Sequence, residues 1–265
     1  MRLEDIQLAI RPRSILECLD IAFLFCGRHW WGLLLASAFG IVPITIANYW
    51  IMQIPDLNGY FAYLLLTMEV PWATLLLTLY LGQITFSRRF SPRRASKDFF
   101  RTFSRMFVFQ VIVRGLCLAV GILTPVVFLG MYFLNEIILL EQTSMSRTWS
   151  RRGAMNARAL GRIFSLRLMD LLVLSVGTLL LASLFRTISE LWEDRFHFDP
   201  NLIFDFDAML HVDWQIQISF WIVIVFLTVF RFVSYLDCRI RREGWDVELK
   251  LRMLADLHRQ REAAE

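Results

Sequence analysis

The sequence predicts an all-α, polytopic membrane protein with about six transmembrane helices and amphipathic helices at the cytoplasmic surface. Three observations predict this class. Of the 265 residues 57% are hydrophobic, more than a soluble domain of this length needs. Apolar runs long enough to cross a bilayer recur along the chain. Arg and Lys gather in some connecting segments and are scarce in others. We therefore treat residues 1–265 as a single membrane domain.

The first element is predicted to be an amphipathic helix over residues 11–29, lying along the cytoplasmic surface. Charged residues come before any apolar run, so we expect no cleavable signal peptide. Ser14 and Glu17 fit a capping box, in which each side chain accepts a hydrogen bond from the other residue's backbone amide. One face of the helix is apolar and carries Ile15, Leu19, Ala22 and Cys26.

The first span is predicted over about 30–52. Small residues recur in it every four positions, which forms a stripe where another helix can approach closely. Pro43 is expected to bend the helix. The stripe consists of Gly32, Ala36 and Gly40, and the aromatic anchors at the two interfaces are Trp30, Trp31, Tyr49 and Trp50.

The second span is predicted over about 60–86, interrupted by Glu69 and Pro71. Pro71 either frees a backbone carbonyl or makes a simple packing kink, and the kink is the favoured interpretation. The loop that follows, 87–105, holds seven cations and one acidic residue. This excess of positive charge indicates the cytoplasmic side.

Residues 106–141 form an apolar run that is too long for one ordinary span. Gly121 and Pro125 mark a reversal, which gives spans over about 106–122 and 124–141. Both are short for a bilayer, so a re-entrant pair is the alternative to two full crossings. The next polar segment, 142–167, carries six arginines and is again predicted to be cytoplasmic.

Spans over about 168–185 and 216–236 complete the bundle. The loop between them, 187–213, is rich in acidic residues and has one Arg, which indicates the outer side. The cytoplasmic tail, 237–265, contains an amphipathic helix from Asp246 to about Glu262 that should dock on another surface. Both termini are predicted to be cytoplasmic, in a plasma (inner) membrane.

Glu69, Arg114 and Glu136 are the most deeply placed ionisable residues within the predicted spans, and an extended Arg114 could pair with either carboxylate. Such groups are costly in a bilayer and need a partner or a water-filled cavity. One interpretation is a buried ion pair that fixes helix register, which we favour, and the other is a polar pathway or proton-coupled site. Arg231 and Asp170 lie near the inner boundary, where we expect the arginine to snorkel.

The two ends of the chain carry charges that we expect to form a cytoplasmic charged clasp. Glu17 and Asp20 would pair with Arg239 and Arg241, and Arg11 and Arg13 with Asp237, Asp246 or Glu248. Exposed pairs are individually worth at most about 1 kcal/mol, so the clasp would fix geometry chiefly as a network. A structural role is favoured over ligand binding.

No catalytic signature of a protease, α/β-hydrolase, P-loop or dinucleotide-binding enzyme occurs, and the four cysteines have no metal-ligand spacing. We expect no catalytic residues, metal or cofactor. The acidic outer loop lacks the ligand spacing of an EF-hand, so a solvated loop is favoured over a cation site. Positive inner loops beside spans predict contact with anionic lipid headgroups rather than nucleic acid.

Two terminal motifs resemble the bacterial membrane proteins related to the membrane domain of glycerophosphoryl diester phosphodiesterases. The first is Arg11, Pro12, Arg13 and Ser14 with Glu17, Leu19, Asp20 and Ala22. The second is Tyr235, Asp237, Arg239, Ile240 and Arg241 with Glu243, Gly244, Asp246 and Glu248. Glu69 with Pro71, and the run Leu79 to Gln83, are similar to one branch of these proteins. The resemblance implies a six-span helical membrane domain without the catalytic barrel, which would need about 250 residues.

These observations predict a non-enzymatic membrane subunit whose basic cytoplasmic rim docks a protein partner or organises an assembly. The alternative is a transporter or channel for a small solute or lipid that uses Glu69, Arg114 and Glu136. An intramembrane lipid-processing enzyme has less support, because the sequence offers no recognisable pair of nucleophile and base.

Overall fold

The computed structural model describes residues 13–51, 59–87, 90–121, 126–156, 160–192 and 214–243. These residues form nine α-helices and two π-helical segments, Phe107–Val113 and Val126–Gly130, with no strand among them. The all-α class is confirmed. The helices are α1 (Ile15–Ile51), α2 (Gly59–Ala73), α3 (Leu75–Ser87), α4 (Pro92–Met106), α5 (Arg114–Ala119), α6 (Leu134–Leu140), α7 (Met145–Asn156), α8 (Leu160–Trp192) and α9 (Trp214–Glu243).

Five helical stretches in the described part of the chain are long and apolar enough to cross a membrane, which supports a polytopic membrane protein. They are Ile15–Ile51, Leu64–Phe86, Pro92–Ala119, Leu160–Leu191 and Trp214–Arg242. The predicted span over 124–141 corresponds to a shorter apolar helix, Val127–Leu140. The count of six spans therefore stays a prediction.

α1 joins the predicted surface helix and the first span into one element. Its backbone leaves helical geometry at His29 (φ −118°, ψ 21°), the boundary between the two predicted elements, whereas Pro43 lies inside the helix. The capping box is confirmed, because the Ser14 amide donates to Glu17 and the Glu17 amide to the Ser14 hydroxyl. The predicted apolar face packs into the core, where Cys18 and Ala22 are fully buried. Residues 15–29 thus pack on the bundle before the chain enters the span.

α8 is much longer than the predicted span over 168–185. It begins at Leu160 and continues to Trp192. The polar residues at its first turns do not end it, because Arg162 and Arg167 find hydrogen-bond partners on neighbouring elements. α9 likewise extends to Glu243, seven residues beyond the predicted boundary at 236. The predicted outer loop after residue 192 and the predicted helix from Asp246 lie outside the described residues.

α9 is the central helix of the bundle. It packs against α1, α3 and α8, and 67% of its most apolar stretch is buried, against 11% for α1 and for α8. Phe230, Val233 and Tyr235 are fully enclosed in the main core cluster. The broad apolar faces of α1 and α8 point outward, as expected for helices at the lipid-facing edge of a membrane domain.

The small-residue stripe of α1 lies against α2 and α3. A Cβ atom on Gly40 would fall 2.1 Å from the carbonyl oxygen of Ala73, and one on Gly32 would overlap the side chain of Tyr80. Ala36, between them, packs against the main core cluster. The predicted close helix approach at this stripe is therefore confirmed.

The segment from α4 to α6 forms a hairpin whose two ends lie side by side. Arg105 donates a hydrogen bond to the carbonyl oxygen of Thr143, and the Gln142 amide donates to Asp98 at 2.8 Å. Gly121 adopts a left-handed backbone conformation (φ 68°) at the predicted reversal, a conformation that glycine reaches without strain. Pro125 lies outside the described residues.

Candidate functional site

Glu69, Arg114 and Glu136 do not form the predicted group. Glu69 accepts a hydrogen bond of 2.7 Å from the Asn48 amide, which α1 presents and which is fully buried. Glu136 pairs with Arg231, and Arg114 contacts a carbonyl and an amide instead of a carboxylate. The predicted pairing of Arg114 with Glu69 or Glu136 is wrong. Arg114 reaches α2 two residues before Glu69, so its partner there is the backbone and not the carboxylate.

Arg114 is held by a chain of polar contacts between α2 and the hairpin. Its guanidinium donates to the Thr67 carbonyl oxygen at 3.0 Å and to the Gln110 side chain at 3.3 Å. The Gln110 amide donates to Asn135, and the Asn135 amide donates to the carbonyl oxygen of Pro71 at 3.3 Å. Both sides of the hairpin are thereby tied to the region around Pro71.

Pro71 explains why the Thr67 carbonyl is available. In a regular helix that carbonyl accepts a hydrogen bond from the amide of residue 71, and proline has no amide hydrogen. Arg114 supplies a donor in its place. The sequence raised a freed carbonyl as one possibility at Pro71 but favoured a simple packing kink. The contact with Arg114 shows that the carbonyl is used.

Glu136 and Arg231 form a buried ion pair between α6 and α9. The Arg231 Nε lies 2.7 Å from the carboxylate, the Glu136 side chain is fully buried and that of Arg231 is 13% exposed. The expectation that Arg231 snorkels to the interface is wrong, because the pairing keeps its guanidinium inside the bundle. Hydropathy and length place both residues in spans, but only the helix neighbours identify them as partners.

Arg167 and Asp170 extend this charged region onto α8. The Arg167 Nε donates to the Phe128 carbonyl oxygen at 2.6 Å, and its guanidinium lies over the Tyr132 ring, 4.6 Å from the ring centre. A longer contact of 3.8 Å joins it to Asp170. Arg167, predicted as the end of a basic cytoplasmic loop, thus packs within the bundle and connects α8 to the second side of the hairpin.

Asp237 connects the segment before α1, the start of α8 and the end of α9. It is the centre of the charged clasp as the structure shows it. Its fully buried carboxylate accepts from the Arg13 backbone amide at 2.6 Å, from Arg162 at 2.5 Å and from Arg241 at 3.0 Å. Arg162 and Arg241 both donate to the Arg13 carbonyl oxygen as well. The N-terminal segment, α8 and α9 are therefore fastened together by one carboxylate.

The clasp differs from the predicted one in its partners. Arg13 meets Asp237 through its backbone amide, and Arg241 pairs along its own helix with Asp237 instead of with Glu17 or Asp20. Asp20 is exposed, and no contact joins it to Arg239 or Arg241, which corrects that part of the prediction. Arg162, which the prediction omitted, is a main partner. Arg11, Asp246 and Glu248 lie outside the described residues.

A second carboxylate, Glu141, joins α6, α7 and α9. Arg151 donates two hydrogen bonds to this carboxylate, of 2.7 and 3.2 Å. This hydrogen bonding raises the pKa of Arg151 above its ordinary value. The Tyr235 hydroxyl donates to the same carboxylate at 2.7 Å, and Arg239 approaches it at 3.8 Å. Arg239 thus contacts the end of the hairpin.

α4 carries an exposed surface with two adjacent sectors. Phe100 and Phe103, with Phe107 directly after the end of α4, form an aromatic sector, and Phe100 is 75% exposed. Beside it lie the exposed cations Arg93, Arg94, Lys97 and Arg101. The remaining face, with Ala95, Thr102 and Met106, is buried against the bundle. We refer to the sectors as the α4 aromatic sector and the α4 basic sector.

These arrangements fasten helices and orient guanidinium groups. In the described residues no group of three His, Cys, Asp or Glu side chains is placed to hold a metal ion.

The chain matches no protein-family model, no curated protein and no solved structure. The resemblance to the phosphodiesterase membrane domains therefore stays a prediction.

Proposed function

We propose that the protein is a non-enzymatic, multi-pass subunit of the plasma membrane that docks a cytoplasmic partner through its basic rim. The observation that carries the proposal is the α4 basic sector, which presents exposed cations from a helix whose opposite face is packed against the bundle. Such a surface is pre-organised, because binding an acidic partner would require no refolding of the helix that carries it.

The contacts of two carboxylates support the same proposal. Asp237 and Glu141 bind five elements to one another. Their arginine partners neutralise and enclose them, so they serve rigidity rather than proton transfer. A rigid base with an exposed charged helix is suited to assembly. In this proposal both termini are cytoplasmic, and the α4 aromatic sector rests in the lipid interface while the cations meet headgroups or partner.

The transporter alternative draws less support from the geometry. It required Glu69, Arg114 and Glu136 to line one path, and each of the three contacts a different helix.

The test is purification of the tagged full-length protein in mild detergent, with mass spectrometry of what accompanies it. Two altered forms are compared: a chain ending after Glu243, where α9 ends, and the α4 variant Arg93→Glu with Lys97→Glu. The matched control reverses two exposed cations on other helices, Arg28→Glu with Arg147→Glu. We expect a stoichiometric partner that the α4 variant loses and the control retains.

Two outcomes would contradict the proposal. If the intact protein purifies alone from its native membrane, no docked partner exists under these conditions. If the control loses the partner as completely as the α4 variant, the effect reflects total positive charge and not the α4 surface. If only the truncated chain loses the partner, the docking element lies in the tail after Glu243 and not on α4.

A further inference from the structure

Four elements bring three partly buried arginines and two buried carboxylates into one region. Arg231 of α9 pairs with Glu136 of α6, and Arg167 of α8 lies near Asp170 on the same helix. Arg167 and Arg231 each lie within electrostatic range of both carboxylates. Arg114, at the start of α5, lies within range of the two other arginines. We call this set the inner charge cluster.

Arg114 is the one cation of the inner charge cluster that has no carboxylate partner within it. The charged groups that act on it among the described residues are Arg167 and Arg231, both cations, while its hydrogen bonds go to the neutral Thr67 carbonyl and Gln110 amide. With both carboxylates ionised, the three arginines leave one uncompensated positive charge. Arg114 is partly buried, and a charge that is removed from water without a counter-ion is destabilising, so a mobile anion would find a favourable position here.

The cluster also contains buried polar atoms with no protein partner in the described structure. Two are donors, the Arg114 Nε and the Arg231 Nη2. One is an acceptor, the Glu136 Oε2, on a fully buried carboxylate. A ligand that satisfies both kinds of atom must accept hydrogen bonds and also donate one. A halide has no hydrogen to donate, whereas a protonated oxyanion has both properties.

We propose that the inner charge cluster binds an oxyanion that retains a hydroxyl, of the class of dihydrogen phosphate or a singly protonated phosphate monoester. Its oxygens accept from the Arg114 Nε and the Arg231 Nη2, and its hydroxyl donates to Glu136. A single negative charge on the ligand balances the excess of one positive charge. Guanidinium groups suit this ligand because their planar, multiply donating geometry matches phosphate oxygens.

The experiment measures the thermal unfolding of the delipidated full-length protein in neutral detergent, in chloride and in inorganic phosphate at equal ionic strength. We expect a saturable rise in Tm with phosphate, because a ligand that binds the folded state alone stabilises it. Phosphatidic acid, a phosphate monoester, is tested beside phosphatidylcholine, a diester without the hydroxyl. A response to phosphatidic acid but not to phosphate identifies a lipid headgroup as the ligand, and a response to both identifies the free anion as sufficient.

Arg114→Gln separates a binding role from a structural one. It removes the excess charge together with the donor to the Thr67 carbonyl, so its Tm in chloride is measured as its own reference. Relative to that reference, we expect the phosphate shift to be lost. Arg93→Gln, at an exposed site, is the matched control and should keep the full shift. If Arg114→Gln fails to fold, Arg114→Lys keeps the charge without the Nε donor and should raise the half-saturating concentration at least tenfold.

The proposal is overturned if neither phosphate nor phosphatidic acid raises the wild-type Tm above the chloride and phosphatidylcholine values. It is also overturned if Arg114→Gln, or Arg114→Lys where the first variant cannot be purified, responds to phosphate as the wild type does.

Discussion

The guanidinium of Arg114 donates to the carbonyl oxygen of Thr67, the carbonyl that Pro71 leaves without its helical donor. Pro71 and Arg114, which are distant in the sequence, therefore act on the same carbonyl oxygen. Proline removes an amide hydrogen from α2, and an arginine of the neighbouring hairpin supplies a replacement. In a bilayer this exchange has particular value, because lipid offers no water to satisfy a freed carbonyl.

A double-mutant cycle tests whether Pro71 and Arg114 are coupled through the Thr67 carbonyl. Pro71→Ala restores the amide hydrogen at position 71, which then competes with Arg114 for the Thr67 carbonyl. In an Arg114→Met background there is no competition, so we expect Pro71→Ala to be more favourable there by about 1 kcal/mol. The measurement is the free energy of unfolding of the four forms by denaturant titration in detergent. Additive effects within error would show that the two residues are not coupled.

Asp237→Asn should be among the most destabilising single substitutions in the chain. It removes the negative charge from a fully buried carboxylate that contacts Arg162, Arg241 and the Arg13 amide. Breaking a buried ion pair from one side costs about 3 kcal/mol or more. We expect a large fall in Tm in detergent, whereas Asp20→Asn, at an exposed position of α1, should leave Tm unchanged.

The arginine partners of Asp237 should rank by burial. The Arg162 side chain is 22% exposed and that of Arg241 is 38% exposed, so solvent screens the second pair more. Arg162→Gln should therefore lower Tm more than Arg241→Gln. The reverse order would mean that the contact along α9, and not the contact to α8, is the main fastening.

Features that depend on local sequence could be predicted. The capping box at Ser14 needs only a spacing of three residues, and the stripe of Gly32, Ala36 and Gly40 needs only the helical repeat. The fold class follows from hydropathy in the same way. In each case the physics acts within one helix, so no knowledge of its neighbours is required.

Features that depend on which helices are neighbours could not be predicted from the sequence. Glu136 and Arg231 are 95 residues apart, and their pairing follows from the packing of α6 on α9. The pattern of charge predicts a basic loop at Arg162, because clustered positive charge normally marks a loop beside a span. Its pairing with Asp237 instead lets α8 continue to Leu160. A sequence has no signal that distinguishes an arginine with a distant partner from one in water.

Gly40→Ala tests the close approach of α1 and α2. The added Cβ would lie 2.1 Å from the Ala73 carbonyl oxygen, a backbone atom that cannot rotate away. We expect the helices to separate, with a loss of about 2 kcal/mol of stability. Gly27→Ala is the matched control, since nothing lies within 4 Å of its added Cβ, and its higher helix propensity should make it neutral or slightly stabilising. Equal effects at the two positions would argue against a tight interface.

The hairpin between α4 and α6 is expected to turn inside the membrane. Its second side, Val127–Leu140, reaches about 20 Å at roughly 1.5 Å per residue, less than the roughly 30 Å of a hydrocarbon core. Val120 lies just before the turn and is half exposed. Val120→Cys should therefore resist an impermeant maleimide from either side of intact membranes and react only after detergent is added.

Two control positions define the sides in the same cysteine-free background. Trp50→Cys lies near the end of α1 and Ser96→Cys lies on α4, and both are exposed. Because the single crossing formed by α2 and α3 separates them, each should react from its own side only. If Val120→Cys reacts in intact membranes from the same side as Trp50→Cys, the hairpin makes two full crossings. Protection from both sides means that it is re-entrant and that residues 87–105 and 142–167 share one side without any crossing between them.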